Sequence, residues 1–462
     1  MKGLTIRAVA EACNGTFFGS EEVLEKEIDH VVIDSRKAEK DALFIAIKGE
    51  RADGHSFIPQ VFAAGAALVV SEKQLENPDG PYILVDSSEQ ALKQIAEYYR
   101  STLDIPVIGV TGSVGKTSTK EMIASVLEQR FSVLKTEGNF NNEIGMPLTL
   151  LRIRSYHEVA VVEMGISDFG EMHRLAKIAK PDICVLTNIG QAHLENLKTR
   201  DGILKAKSEI FDFIKEDATI ILNGNDDKLS MIHQVKGITP LRYFVEDGSA
   251  KRQADQCYQV IAEKIADHGL EGINMTLSFE DTAYSVREPI PGMHNVYNAC
   301  AAALIARKLG LTKEEILRGI SSVKTISGRT NILTLKNGIT LIDDCYNANP
   351  ISMKASIEVL ANSSGRKIAV LGDMGELGEE EAELHREVGR FVAEKGIDVL
   401  YATGDLSGYM IEAAKGIECK RHFSTRKDLV AELSGILQEG DIVLIKASHF
   451  MEFDKIVSAL QK

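Results

Sequence analysis

Short apolar runs separated by longer stretches of helical periodicity recur along most of this chain, the pattern of strands in a parallel sheet covered on both faces. The runs at 107–110, 159–162, 183–186 and 219–222 predict central strands. Each gives way to polar or glycine residues: Thr111-Gly112, Glu163, Thr187-Asn188 and Asn223-Gly-Asn-Asp226. Ligands of open α/β sheets bind beyond the carboxyl ends of the strands, so these residues are expected to share one edge and one crevice. From about 256 to 290 the pattern turns to alternation, as in Ile273-Asn-Met-Thr-Leu-Ser-Phe279, which predicts a small antiparallel sheet.

On either side the pattern is less dense. Upstream, 42–47, 67–70 and 82–85 read as strands among short helices, closed by a helical stretch at 89–100. Downstream of Ser327-Gly328 the alternation resumes, with strands expected at 340–342, 367–371, 399–401 and 442–445. The expectation is an α/β protein of three domains at 1–102, 103–326 and 327–462, the last Rossmann-like, and 462 residues suit that count. No internal repeat is visible.

Candidate chemistry concentrates where the 107–110 run meets Thr111-Gly-Ser-Val-Gly-Lys-Thr117, followed at once by the helix-periodic Lys120-Glu-Met-Ile-Ala-Ser-Val-Leu-Glu128. Strand, tight loop and helix aim backbone N–H groups and a helix N-terminus at phosphate oxygens. Lys116 offers a point charge to the β- and γ-phosphates of ATP, and the Thr117 hydroxyl a ligand for Mg²⁺. Thr111, Gly112, Ser113, Gly115 and Ser118 belong to the same cradle. Val110 stands where the strict G-x-x-x-x-G-K-[ST] form has glycine, so the motif is a looser one in the right context. A structural Gly-Lys turn is the plainer alternative; a nucleoside triphosphate site is the better supported.

Glu163 closes an apolar run, so its carboxylate is expected where the strands open onto the crevice. His193 follows the 183–186 run; Mg²⁺ prefers oxygen ligands, and a lone histidine is as often structural as functional. Lys207 is more telling. Ile203, Ile210, Phe211 and Ile214 lie at −4, +3, +4 and +7 from it, which puts Lys207 in an apolar helical stripe. Two outcomes stay open. A desolvated amine loses proton affinity and can add CO₂ to become an anionic carbamate. The plainer outcome is a stem that packs while its charge snorkels to water.

Charge and composition narrow the partners. A formal net charge of −14 disfavours a nucleic-acid partner. Six scattered cysteines without C-x-x-C spacing imply neither zinc nor a disulfide framework, which suits a reducing cytosol. Charge interrupts the first residues too soon for a signal peptide, and the longest apolar run, at 62–70, is far short of a membrane span.

Several segments, in order, resemble the Mur ligases of peptidoglycan synthesis. They are Thr111–Thr117, Gly138-Asn-Phe-Asn-Asn-Glu-Ile-Gly-Met-Pro147, Glu163-Met-Gly165, Thr187-Asn-Ile-Gly-Gln-Ala-His193, Ala206-Lys-Ser-Glu-Ile-Phe211, Gly292-Met-His-Asn-Val-Tyr-Asn-Ala299, Gly328-Arg329 and Asp343-Asp-Cys-Tyr-Asn-Ala-Asn-Pro350. Within the family, Asp344–Pro350 with Ser352-Met353, and Leu371-Gly-Asp-Met-Gly-Glu-Leu-Gly378 followed by His385, are most similar to the member that adds D-Ala-D-Ala. The resemblance implies a bacterial, cytoplasmic, monomeric ligase. ATP phosphorylates the tripeptide carboxylate of UDP-MurNAc-tripeptide, and the D-Ala-D-Ala amine then attacks the acyl phosphate.

Site roles follow from the same resemblance. Lys116 and the loop hold phosphates, and Thr117 with Glu163 holds Mg²⁺. Glu163, His193 and a carbamylated Lys207 hold a second Mg²⁺. Asn295 or Asn298 binds adenine, Arg329 a terminal phosphate and Asp344 the ribose. Ser35, Arg36 and Lys48 (within Lys48-Gly-Glu-Arg-Ala-Asp-Gly-His55) grip the UDP-sugar, and Asn142, Asn347 and Asn349 touch substrate. Asn349-Pro350 also reads as a helix start, with Asn at N-cap and Pro at N1. One departure stands out: His449 in Val443-Leu-Ile-Lys-Ala-Ser-His449 replaces an arginine usual in the family, with loss of a permanent charge.

Three rival readings are weaker. The ligase that adds the third residue carries an Asp-Asn-Pro-Arg motif in its last domain, absent here. A folylpolyglutamate synthase-like ligase lacks the first block. A silent nucleotide-binding regulator would not need Glu163, His193 and Lys207 together.

Overall fold

The computed structural model describes every residue except Arg51, Asp281, Lys336 and Lys462; Arg51 falls inside the Lys48–His55 segment noted above. Three sheets are stacked along the chain. The first has five strands in the order Thr16–Phe18, Tyr82–Leu84, Leu68–Ser71, Ala42–Ile45, His30–Val32, parallel except where Thr16–Phe18 joins. The last has six, ordered Asn331–Thr334, Thr340–Asp343, Ile442–Lys446, Lys367–Gly372, Val399–Thr403, Cys419–Phe423, parallel beyond the first. Central strands such as Leu68–Ser71 and Ile442–Lys446 are buried at every position, which is why they read as unbroken apolar runs.

The middle sheet carries the site. Its nine strands run Ala283–Glu288, Ile273–Ser278, Val260–Asp267, Leu241–Val245, Thr219–Asn223, Ile183–Leu186, Val107–Thr111, Val159–Glu163, Val133–Lys135. The alternating segments are present, but not as a sheet of their own. Val260–Asp267 pairs parallel with Leu241–Val245 and antiparallel with Ile273–Ser278, so the antiparallel hairpins extend the parallel sheet. Val107–Thr111 lies between Ile183–Leu186 and Val159–Glu163, parallel to both, and the strands that follow it are added first on one side of it and then on the other. That is the switch point at which a crevice opens.

The helix Ser88–Ser101 ends the first sheet's segment, yet it packs mainly on the middle domain. Its buried face (Leu92, Ile95, Ala96, Tyr99) shares one apolar cluster with Met146, Leu150, Leu175 and Ile178. Tyr99 donates to the Ile153 carbonyl at 2.7 Å, and Arg100 bridges to the Ala179 carbonyl and the Asp182 carboxylate at 2.8 and 2.7 Å. Among the described residues no helix is long and apolar enough to cross a membrane.

Candidate active site

The loop after Val107–Thr111 is held open by the end of the next strand. Thr187 donates its hydroxyl to the Val114 carbonyl at 2.8 Å, the Asn188 side chain accepts from Val114 N–H at 3.0 Å, and the Asn188 carbonyl accepts from Ser113 N–H at 3.0 Å. A Cβ on Gly112 would lie 1.9 Å from Thr187 Oγ1, so only glycine permits this approach. Gly115 then turns through φ 80° and caps the helix Lys116–Leu127 without a side-chain bond, leaving its first N–H groups for an anion. Lys116 Nζ folds back onto the Gly112 carbonyl at 2.9 Å. Burial pushes this ammonium below its ordinary pKa, against the pull of Glu163.

Two cavities adjoin this loop. The first, of about 600 Å³, is lined by Ser113, Gly115, Lys116, Thr117, Glu163, His193 and Arg329, with Asn142, Asn347 and Asn349 on its walls. The second, of about 520 Å³, is lined by Gly115, Ser118, Asn298, Arg329, Asp344 and Lys446. Arg329 borders both and stacks over the Tyr346 ring at 4.2 Å. Thr111 and Gly112 lie beneath the loop and line neither.

Glu163 is fixed at both ends. Its N–H donates to Thr136 Oγ1 at 2.9 Å, its Oε1 accepts from Asn141 Nδ2 at 2.8 Å, and its buried Oε2 has no partner. Thr136 is held in turn by Lys120, a buried ammonium on the phosphate-loop helix that donates to the Thr136 carbonyl at 2.6 Å. Lys120, Thr136 and Asn141 were invisible as a set in the sequence, because they come from a helix, a strand end and a loop. The only available signal was Lys120 itself, a charge among apolar helix positions.

Lys207 does not snorkel. It is fully buried near the end of the helix Arg200–Ser208, its Nζ without a hydrogen-bond partner, and burial with the nearby Lys116 charge pushes its pKa well down. The stripe continues past Ser208 through a 3₁₀ turn, Glu209–Phe211, and buries Ile203, Ile210 and Phe211. His193 sits at φ 57° before the turn Leu194–Leu197. Its Nδ1 lies against the Glu376 carboxylate, outside hydrogen-bond geometry.

A hydroxyl, an unpartnered buried carboxylate oxygen and an imidazole on one cavity fit a divalent cation, although among the described residues no three acidic, histidine or cysteine groups form a ready cluster. A buried, unpartnered amine at Lys207, its proton affinity lowered by burial, fits carbamylation, since it would supply the anionic oxygens that Mg²⁺ prefers.

The other expected residues divide. Asn298 lines the second cavity, with its amide already accepting from the Thr119 hydroxyl at 2.6 Å and donating to Asn295 Oδ1 at 3.0 Å; Asn295 does not line it, and its Nδ2 donates to the Pro291 carbonyl at 2.9 Å. Asp344 accepts from Lys446 at 2.6 Å, from Thr330 N–H at 3.0 Å and from the Ser356 hydroxyl. Burial alone would raise this carboxyl; Lys446, Ser356 and Arg329 hold it below its ordinary value. Asn142 caps the N–H groups of Ile144 and Gly145, and Asn349 caps the helix Pro350–Ala361 with Ser352 in return, so both have structural work as well as a place on the cavity wall. Ser35, Arg36 and Lys48 line neither cavity. Arg36 is exposed and forks onto Asp34, whose carboxyl it lowers to about 2.

A phosphate loop at the switch point of a parallel sheet, walled by a second and a third α/β domain, defines a three-domain nucleotide-dependent enzyme. The chain matches family models in all three parts: Mur ligase family, catalytic domain, over 27–100; Mur ligase middle domain, over 110–306; and Mur ligase, glutamate ligase domain, over 328–449. It belongs to the Mur ligase family. It is 38% identical to the UDP-N-acetylmuramoyl-tripeptide–D-alanyl-D-alanine ligase of Bacillus subtilis, over 99% of this chain and 98% of that one. A crystal structure of MurF from Acinetobacter baumannii superposes with a TM-score of 0.89 at 33% identity, covering 99% and 98% of the two chains. MurF from Thermotoga maritima in complex with ADP gives 0.81 at 30% identity, covering 94% and 97%.

Proposed function

We infer that this chain is an ATP-dependent ligase that forms an amide between the tripeptide carboxylate of UDP-MurNAc-tripeptide and the amine of D-Ala-D-Ala. One observation carries the reading: Lys116, Thr117, Glu163 and His193 converge on a single cavity of about 600 Å³ beside a phosphate loop. End-to-end likeness to ligases of that name supports the choice of substrates.

The residues have separable tasks. The loop N–H groups and Lys116 hold the triphosphate; Arg329, bordering both cavities, is placed to hold the phosphoryl group that passes between them. Asn298 and Asp344 lie on the nucleoside side. Thr117 and Glu163, with His193 and a carbamylated Lys207, would hold Mg²⁺. When bound, Mg²⁺ supplies the positive charge that lets an anionic acid approach an anionic triphosphate. The γ-phosphoryl passes to the tripeptide carboxylate; the dipeptide amine attacks the resulting acyl phosphate, and phosphate departs from the tetrahedral adduct. Asn142, Asn347 and Asn349 border the acid's side, and Ser35, Arg36 and Lys48 are assigned to the UDP-sugar from the family resemblance.

The test is phosphate release from ATP with UDP-MurNAc-tripeptide, with and without D-Ala-D-Ala. Sustained release only with both substrates is the expected result. Release that ignores the dipeptide, or no release with both, rejects the reading.

A further inference from the structure

The motif Leu371–Gly378, with His385 beyond it, has no part in the mechanism above, yet from the last domain it touches His193, a residue of the active cavity. Its loop follows Lys367–Gly372 and is braced on several sides. Asp373 accepts from the N–H groups of Leu406 and Ser407 at 3.1 and 2.6 Å, and its carbonyl accepts from Ser448 N–H at 3.0 Å. The Ser448 hydroxyl accepts from Gly375 N–H at 2.9 Å. His385, fully buried, accepts from Met374 N–H through Nε2 at 3.0 Å and meets the Glu381 carbonyl through Nδ1 at 2.6 Å.

This stiff loop presents Glu376 to Nδ1 of His193. Both residues sit in left-handed backbone, at φ 61° and φ 57°, a conformation that side-chain-bearing residues adopt only at a cost. Strain in two domains thus meets at one contact. The docking around it is close: Leu377 is buried, Leu194 packs against the same C-terminal core, and a Cβ on Gly378 would stand 3.5 Å from Glu195 Cα. His193 lines the cavity that holds Lys116 and Glu163, whereas Glu376 lines a different one between the domains.

We propose that Glu376 is a positioning residue for His193, and that it makes seating of the C-terminal domain a condition for a competent cation site. The proposal rests on the reading of His193 as a ligand. The nearness of a carboxylate to Nδ1, short of an aligned hydrogen bond here, favours a proton on that nitrogen electrostatically and leaves the lone pair on Nε2, as when carboxylates orient metal-binding imidazoles. The anchor comes from another domain, so the imidazole is set only when that domain is docked.

The test reads the tautomer directly. Nitrogen-15 spectra of ring-labelled histidine, with the His193 signal assigned by its loss in His193→Gln, are compared for the parent, Glu376→Gln, Glu376→Ala and a control, Glu379→Gln, on the same loop. The parent and control should carry the Nδ1 proton without added metal. Glu376→Ala should give a mixed tautomer, about 10- to 100-fold lower kcat, a higher Mg²⁺ requirement and an unchanged KM for ATP; Glu376→Gln should lie between. An unchanged tautomer or an unchanged kcat in Glu376→Ala overturns the proposal. His193→Ala separates the two claims: full turnover there rejects the ligand reading itself, whereas an inactive His193→Ala beside a normal Glu376→Ala rejects only the positioning role.

Discussion

Lys207 and Lys446 are both fully buried lysines, Lys446 on the wall of the second cavity and Lys207 within reach of the Lys116 charge, and their surroundings could hardly differ more. Lys446 spends its ammonium on the Asp344 carboxylate at 2.6 Å and on the carbonyls of Asp344 and Asn347 at 3.3 and 3.1 Å. Lys207 has no hydrogen-bond partner, and the charge that acts on it is the like charge of Lys116. The first is a joint between the strand Ile442–Lys446 and the loop after Thr340–Asp343. The second has no structural reason to be a lysine, because a methionine would fill the same apolar stripe without a desolvated amine. Burial alone does not distinguish the two lysines; the presence or absence of a partner does.

The sharpest way to break this comparison is Lys207→Ala. Turnover should fall by roughly 10³-fold or more while ATP binding persists, with partial recovery on adding short carboxylates, as followed by phosphate release and nucleotide titration. Turnover undiminished in bicarbonate-depleted buffer would instead remove the carbamate from the account.

Lys446→Met should act on stability. It strands a buried carboxylate, at a cost of about 3–5 kcal/mol in denaturant unfolding. The sign with pH follows from Asp344: its folded pKa is depressed, so its contribution is present above the ordinary carboxylate range and fades as pH falls through the folded value. The deficit of the variant should therefore shrink in acid.

Glu288 sharpens the comparison from a third side. Its Oε2 is buried and unpartnered like Lys207 Nζ, the residue like Lys207 lines neither cavity at the loop, and burial raises its pKa to about 8. A raised acid contributes its full stability below the unfolded value near 4.3 and loses it as pH climbs to the folded one. Glu288→Gln should match the parent near pH 4 and exceed it at pH 8 by on the order of a few kcal/mol, with turnover intact.

The smallest effect is expected at His449, whose ring tilts against Tyr346 at 5.5 Å. His449→Arg adds a cation near an aromatic face at an exposed position, and should change the KM for D-Ala-D-Ala by no more than about fivefold.

The central strands, the phosphate loop and the stripe around Lys207 were readable because each is written in consecutive residues or at helical spacing. Edge strands were not: Cys419–Phe423 is largely exposed, and its pattern, with Lys420, Arg421 and His422 in its middle, carries no apolar run. The pair Asp344–Lys446 spans 102 residues, and the Glu376–His193 contact joins two domains, so neither leaves a local trace. Snorkelling was the plainer expectation for Lys207, and it failed because the apolar residues continue on both sides of the helix end and leave the stem no route to water.

The helix Ser88–Ser101 carries one more consequence. Because its apolar face is shared with the middle domain, a polypeptide trimmed to begin after residue 102 would be left with a raw oily flank where Leu92, Ile95 and Tyr99 had lain. Such a trimmed protein should clump rather than refold, so the first two lobes are best regarded as one folding body.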